Sequence, residues 1–453
     1  MSNEKSFRDR PININEGGGR KWVYAKKPKG KWYNRRTYLS WFLLLFLILA
    51  PIIKINGHHF MLIDIANRKF IIFGAIFWAQ DTFILALLML SFVAFILVFT
   101  VTYGRIWCGW ACPQTIFLEM VFRKIEYLIE GDHKKRYKRD KGAWNFDKIW
   151  RKVLKHGIFI GISILMTNAF LMWFTGPERL LEIVTDPIKE HFSGFIIMLI
   201  ISGVFYWIYS FFREQICTMV CPYGRMQGVL LDSKSIIVTY DYKRGEPRGK
   251  GEGDCIDCHQ CVSVCPTGID IKDGTQLECI NCTACIDECN TVMTKINKPT
   301  GLIRFDSIEG IEKGHKTVWN ARNKAYSAVM LVLLGFFIFA LLTRPVIETT
   351  ILRTPNTLYQ LKDDGRISNI YNIKIVNKTH EKKVLTLKVI SHKGEIKIGG
   401  GNKIIVKDQD LFESIFILLL EKNQLKGQKN EVTFGIYEGD NLLETYSLTF
   451  VAP

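Results

Sequence analysis

The chain has 453 residues, 48% of them hydrophobic, and a formal charge of +17. Such a length implies two to four folding units. A charge this large suits either a nucleic-acid binder or a membrane protein with basic residues on one side, and five long apolar runs exclude the first.

In chain order, Met1–Arg36 is polar and rich in Gly and Lys, and reads as a loosely ordered cytoplasmic tail without a signal peptide. Apolar runs follow at Thr37–Ile55, Thr82–Tyr103, Gly157–Thr175, Phe192–Phe212 and Ala325–Leu342. At 18–22 residues each can cross a hydrocarbon core of about 30 Å, with Lys54 reaching back to the interface. Eleven Lys and Arg precede the first run, 13 lie between Gly104 and His156, and 15 between Arg213 and Lys324. The segments Asn56–Asp81 and Gly176–His191 hold only two each. The positive-inside rule then places Met1 in the cytoplasm and the C-terminus outside after five crossings. Lys69–Ala79 is too short to span and is expected to be interfacial or re-entrant. His133–Trp150 is expected to be a solvated, charged loop. His58 and His59 read as an exposed loop, or alternatively as metal ligands or a quinone contact.

The second and fourth runs end alike, in Arg105-Ile106-Trp107-Cys108-Gly109-Trp110-Ala111-Cys112-Pro113 and Arg213-Glu214-Gln215-Ile216-Cys217-Thr218-Met219-Val220-Cys221-Pro222. Recurrence of a basic residue and C-x-x-x-C-P predicts a duplicated hairpin, occupying residues 37–234, about a pseudo-twofold axis along the membrane normal. Pro113 predicts a helix start, with Phe117, Val121, Ile125 and Leu128 on its apolar face. Cys112 and Cys221, at helix N-termini near Arg105 and Arg225, are predicted to favour thiolate. Symmetric hairpins would bring Cys108, Cys112, Cys217 and Cys221 together at the cytoplasmic membrane face. Soft sulfur there selects copper(I), zinc or an iron–sulfur cluster; the alternative is four buried cysteines that pack the helix ends.

Residues 235–323 form a soluble, cysteine-dense domain. All 12 cysteines lie between residues 108 and 289, on the side assigned to the reducing cytoplasm, which favours metal or redox roles over disulfides. Eight form two C-x-x-C-x-x-C-x-x-x-C runs: Cys255, Cys258, Cys261, Cys265 and Cys279, Cys282, Cys285, Cys289. This is the spacing of a ferredoxin-like domain with two 4Fe-4S clusters, in which the fourth cysteine of each run serves the other cluster. The expected sets are Cys255, Cys258, Cys261 and Cys289 for one cluster, and Cys279, Cys282, Cys285 and Cys265 for the other. Two zinc sites are the alternative, opposed by four cysteines per run rather than two pairs. His259 is either a solvated loop residue or a tuner of cluster potential. Residues 324–344 hold the fifth span. Beyond it, residues 345–453 carry seven short alternating segments: Tyr371–Val376, Val384–Ile390, Glu395–Ile398, Lys403–Val406, Ile415–Leu420, Glu431–Tyr437 and Tyr446–Val451. They predict an all-β sandwich of immunoglobulin type without disulfides.

The paired C-x-x-x-C-P motifs within Arg105–Glu119 and after Arg213, Phe77-Trp78-Ala79-Gln80-Asp81, Cys265–Ile271, Gly301–Arg304 and Ile375–Thr379 resemble the FixG/CcoG/RdxA family of cytochrome c oxidase accessory proteins. The resemblance covers the chain from about Lys21 to its end. It implies a bundle in the bacterial inner membrane, cytoplasmic clusters and a periplasmic Ig-like domain. It also implies cupric reductase activity at Cys108, Cys112, Cys217 and Cys221, supplying copper(I) during assembly of the cbb-type oxidase. Partners implied are the oxidase catalytic subunit, copper-delivery proteins and a cytoplasmic or quinol electron donor. Two other functions fit the same residues: a quinol-linked electron conduit similar to NapH and NosR, and a non-enzymatic assembly scaffold with redox-sensing clusters.

Overall fold

The computed structural model describes residues 20–453 apart from 56, 66–68, 79–80, 250–251, 315–319, 356, 363–364, 380, 400, 402 and 426. Most of the expected N-terminal tail (residues 1–19), and Ala79 and Gln80, therefore lie outside the described residues. The chain divides into two units, residues 1–338 and 339–453.

In the first unit, helix α1 (Lys31–Leu49) begins after Gly30 and ends two residues before Pro51. Ala50 is still in helical geometry, but Pro51 has no N–H to continue the ladder, and the chain turns into strand β1 (Lys54–Ile55), paired with β2 (His58–His59). The helical part of the first apolar run, Thr37–Leu49, thus covers roughly 20 Å. Among the described residues, four helices rather than the expected five are long and apolar enough to cross a membrane: Thr82–Tyr103, Phe146–Thr175, Phe192–Phe212 and Ala321–Leu342. Their large apolar side chains, such as Phe83, Leu165, Ile200 and Phe336, face outward, as lipid-facing surfaces require.

Strands β3 (Met61–Asp64), β4 (Lys69–Ile72) and β5 (Ala75–Trp78) form an antiparallel sheet. The segment expected to be interfacial or re-entrant is therefore a β-hairpin. Its tip is Phe73-Gly74, both at positive φ, which suits a two-residue hairpin turn. Helix α2 (Thr82–Tyr103) leads into α3 (Ile106–Trp110) and α4 (Pro113–Ile116), then a π turn (Phe117–Phe122) and α5 (Arg123–Ile129). Pro113 starts its helix as expected, but Leu128 is 79% exposed. Val121 and Ile125 pack with Phe117 as expected, and the wider π turn brings Leu118 and Phe122 into the same cluster.

The loop expected at His133–Trp150 instead holds α6 (His133–Lys141) and the start of α7 (Phe146–Thr175), with Arg136 and Lys148 buried. The described part of the polar segment before α1, residues 20–30, packs on α6 and on the cysteine-dense segment. Tyr24 donates to Asp140 at 2.9 Å, Lys26 N–H reaches the Ser263 carbonyl at 2.7 Å, and Lys26 pairs with Glu288. Helix α8 (Pro177–Thr185) connects α7 to α9 (Phe192–Trp207), which continues as a π turn to Phe212. After a π turn at Ile216–Val220 comes α10 (Pro222–Leu230). The cysteine-dense segment runs between β6 (Ile237–Tyr240) and its antiparallel partner β7 (Ile303–Asp306). It holds α11 (Tyr242–Gly245), α12 (Gln260–Ser263) and α13 (Ala284–Lys295); α14 (Ile308–Lys313) and α15 (Ala321–Leu342) follow.

The second unit is an antiparallel sandwich. One sheet orders β12 (Gly394–Ile398), β14 (Leu411–Glu421), β10 (Arg366–Asn377) and β8 (Ile347–Arg353), with β9 (Gln360–Leu361) also on β10. The other orders β13 (Ile404–Val406), β11 (Lys383–Val389), β15 (Lys429–Glu438) and β16 (Asn441–Val451). All seven expected segments overlap strands. Ile367, Tyr371, Ile373, Phe416, Leu418, Val432, Phe434 and Phe450 fill the core between the sheets, and Tyr371 stacks on Phe416 at 5.3 Å. Asn377 is buried and donates to the Glu381 and Lys407 carbonyls.

Candidate metal centres

The two four-cysteine runs wrap their loops in the same way. Asp257 and His259 bracket Cys258 at positive φ, as Asn281 and Thr283 bracket Cys282. Alternating right- and left-handed residues turn successive N–H groups toward one concavity, which suits an anionic cofactor. One cavity, of about 350 Å³ of space between the atoms, is lined by Cys265, Cys279, Cys282 and Cys285, with Cys261, Ile269 and Ile271. The other, of about 380 Å³, is lined by Cys255, Cys258, Cys261 and Cys289, with Tyr240 and Met293. The fourth cysteine of each run thus joins the other run's first three, and Cys261 stands in both walls.

Burial governs these thiols. It pushes Cys282 up to about 12, with Arg36 the main opposing influence, and Cys279 up to about 11 against the Asn281 N–H. Burial, reinforced by Asp270, likewise takes Cys261 to about 12. Neutral apolar pockets hold such thiols protonated, and a bound cation would hold them as thiolates. Among the described residues, no three His, Cys, Asp or Glu side chains gather closely enough to hold one metal ion. A tetrahedral zinc site needs sulfurs about 2.3 Å from one centre. Four sulfurs that share one cavity wall but do not gather on a single ion fit the larger 4Fe-4S group better. His259 is 61% exposed and lies by Asp257 and Lys272, as a solvated loop histidine does.

The C-x-x-x-C-P motifs repeat as backbone. Gly104 (φ 63, ψ −145) and Arg213 (φ 52, ψ −124) each stand four residues before the first cysteine. Cys112 N–H bonds the Trp107 carbonyl at 2.9 Å, and Cys221 N–H bonds Ile216 at 2.8 Å. Both second cysteines are extended and cap a helix opened by proline. The duplication is thus in register by geometry, but the two arginines are not equivalent: Arg213 matches Gly104, and Arg105 matches Glu214. Cys108, Cys112, Cys217 and Cys221 are near enough to influence one another's ionisation, although no three converge on a single-ion position. The thiolate character expected of Cys112 is overturned. Burial raises Cys108 and Cys112 and takes Cys217 to about 12, because short helices and one arginine do not offset desolvation.

The first motif lies directly against the Cys279–Cys285 loop. A Cβ on Gly109 would collide with the Ile280 carbonyl and sit 3.2 Å from Cys282 N. Trp110 Nε1 donates to the Asn281 carbonyl at 3.1 Å, and Cys108 packs with Val264, Ile280 and Cys282. Cys108 also donates to Gln227 Oε1 at 3.0 Å, which accepts from Arg105 Nε at 2.9 Å. Arg123 reaches the Pro266 carbonyl, beside Cys265, at 3.3 Å. Sequence reasoning missed Arg36, Gly109, Arg123 and Gln227. Gly109 alone had a local signal, as the small residue beside Cys108. His58 and His59 sit on β2, and His59 lies 3.3 Å from Glu178, an ion-pair position rather than a ligand cluster.

Comparison with known proteins adds identity to this geometry. Residues 212–250 and 246–308 match a family described as a 4Fe-4S dicluster domain, and residues 85–136 one described as a 4Fe-4S binding domain. Residues 337–453 match the IG-like fold at the C-terminal of FixG. Protein RdxA of Cereibacter sphaeroides is 35% identical over 343 residues, covering 73% of this chain and 72% of RdxA. Nitrogen fixation protein FixG of Rhizobium meliloti is 32% identical over 423 residues, covering 82% of this chain and 79% of FixG. Protein RdxB of C. sphaeroides is 33% identical over 393 residues, with 82% of each chain covered.

Proposed function

The chain belongs to the FixG/RdxA family of membrane iron–sulfur proteins, and on that premise we propose that it is an oxidoreductase that reduces copper(II). Cys255, Cys258, Cys261 and Cys289 hold one 4Fe-4S cluster; Cys279, Cys282, Cys285 and Cys265 hold the other. Bound clusters supply one-electron storage and transfer. Exposed Cys258 offers the first to a donor on the side the basic loops mark as cytoplasmic. The backbone at Gly109 joins the second to the membrane-edge thiols. Copper(II) is held as substrate at or near Cys108, Cys112, Cys217 and Cys221; one electron arriving through that contact reduces it, and soft sulfur favours the copper(I) product. Copper(I) so produced would serve assembly of the cbb-type oxidase catalytic subunit.

The observation that carries this reading is the packing of Cys108-Gly109 on the Ile280–Cys282 backbone. Anaerobically purified protein, reduced and mixed with copper(II) and a copper(I)-specific chromophore, tests it. Changing all four membrane-edge cysteines to Ser should abolish copper(I) formation while the iron content stays the same. Equal rates in that variant would remove the site. A quinol-linked reading draws on a separate feature. Tyr206 and His156 Nδ1 meet at 3.0 Å between α9 and α7, and the Tyr209 ring stacks on Phe122 at 4.7 Å. Copper-free cluster reduction by quinol in liposomes, lost in His156→Phe, would favour that function.

A further inference from the structure

Buried arginines on this side of the bundle are mostly matched by carboxylates. Arg213 is bound at both Nη atoms by Glu126, Arg136 contacts Glu126 at 2.8 Å, and Arg123 contacts Glu119 at 2.6 Å. Arg36 and Arg105 differ. They are 2% and 3% exposed, and among the described residues neither has a carboxylate at ion-pair distance. Arg36 Nε donates to the Gly109 carbonyl at 2.6 Å, and its Nη2 is buried with no hydrogen-bond partner among the described residues. Arg105 Nε meets the neutral amide oxygen of Gln227, and its side chain also faces the neutral Cys108 thiol. A buried charge without a counter-charge is strongly unfavourable, so the chain's own side chains leave two such charges unexplained.

Both guanidiniums lie behind the loop that carries Cys279, Cys282 and Cys285. Arg36 binds the carbonyl of Gly109, the glycine that packs on the Ile280–Cys282 backbone. Arg105 shares Gln227 Oε1 with Cys108, which packs on Ile280 and Cys282. The other cavity has no such excess. Its cation, Lys272, is paired with Asp257 and Asp270.

We propose that Arg36 and Arg105 are the counter-ions of the cluster held by Cys265, Cys279, Cys282 and Cys285, and make it the more oxidising of the two. Four thiolates outweigh the charge of an iron–sulfide core, so the ligated cluster is an anion able to supply the missing counter-charge. Adjacent fixed positive charge stabilises an added electron and raises a cluster's potential. Electrons arriving at exposed Cys258 then run downhill toward Cys108. This inference rests on the two cysteine sets assigned above.

The test is an EPR-monitored redox titration of the full-length holoprotein in detergent, after iron analysis has confirmed both clusters. Two midpoints are expected. Arg36→Met and Arg105→Gln should each shift the higher midpoint to lower potential and leave the lower one in place, Arg36→Lys should restore it, and Lys272→Met should move only the lower. An unmoved higher midpoint in both arginine variants, or equal shifts of both midpoints, overturns the proposal. If Arg36→Met fails to retain one cluster, recovery of that iron in Arg36→Lys supports the counter-ion role, and failure to recover it refutes the role. Wild-type protein without two clusters would instead refute the cysteine assignment.

Discussion

Replacing Glu126 by Gln should destabilise the membrane unit more than any other single change outside the cysteines. Glu126 is 1% exposed on α5 and accepts from Arg213 Nη1 at 2.6 Å, Arg213 Nη2 at 3.1 Å and Arg136 Nη2 at 2.8 Å, with Lys155 at 4.0 Å. Desolvation acts to raise its pKa, but Arg213 and Arg136 prevail and hold the carboxyl below the usual range. Gln keeps the shape and removes the charge, leaving Arg213 buried in a left-handed conformation with Glu214 at 3.5 Å. Breaking a buried pair from one side costs about 3–5 kcal/mol. At about 2–4 °C per kcal/mol, the melting temperature should fall on the order of 10 °C. Thermal scans in one detergent at neutral pH and a fixed heating rate, followed by circular dichroism, measure it. A melt indistinguishable from wild type would refute the argument that this network ties the two hairpins together.

The same depressed pKa sets a pH dependence. Glu126's contribution is fully present above its ordinary value of 4.5 and is lost as pH falls toward the folded value; melts repeated on acidification should steepen for wild type and stay flatter for Glu126→Gln. Gly109→Ala inserts a methyl group against the Ile280 carbonyl, an overpacking cost of about 1–3 kcal/mol, and should slow copper(II) reduction with both clusters retained; stopped-flow rates check this. Asp287 accepts the Trp32 and Tyr33 N–H groups at 3.2 and 2.8 Å. Asp287→Ala should therefore cost about 0.5–2 kcal/mol, read as earlier proteolysis before α1. Cys265→Ser should remove the cluster of Cys279, Cys282 and Cys285 while its own run keeps a cluster, and Mössbauer spectra of ⁵⁷Fe-loaded variants separate the two cases.

What the sequence made legible was local. The cysteine spacing placed Cys265 and Cys289 in opposite cavities because the three-residue gap sends the fourth sulfur away from its run. The sandwich was visible because its core face alternates, as at Tyr371, Ile373 and Ile375. Four helices read correctly as apolar runs. The first run extends six residues past its helix because hydropathy does not register Pro51. Leu128 was misplaced because a π turn changes the period, and no residue type announces one. The segment before α1 looked unstructured from its Lys and Gly, yet its partners Asp140, Ser263 and Glu288 lie far along the chain. Glu126 and Arg213 are 87 residues apart, so no local pattern could couple them. The motif repeat was recognised through two arginines, whereas the structure repeats through φ, with Gly104 opposite Arg213.

Oxygen-free purification with metal analysis and EPR of the dithionite-reduced protein tests the central claim most directly. The account predicts about eight irons per chain with the signals of two reduced, interacting 4Fe-4S centres. Colourless protein carrying zinc on Cys255, Cys258, Cys261, Cys265, Cys279, Cys282, Cys285 and Cys289 would contradict it.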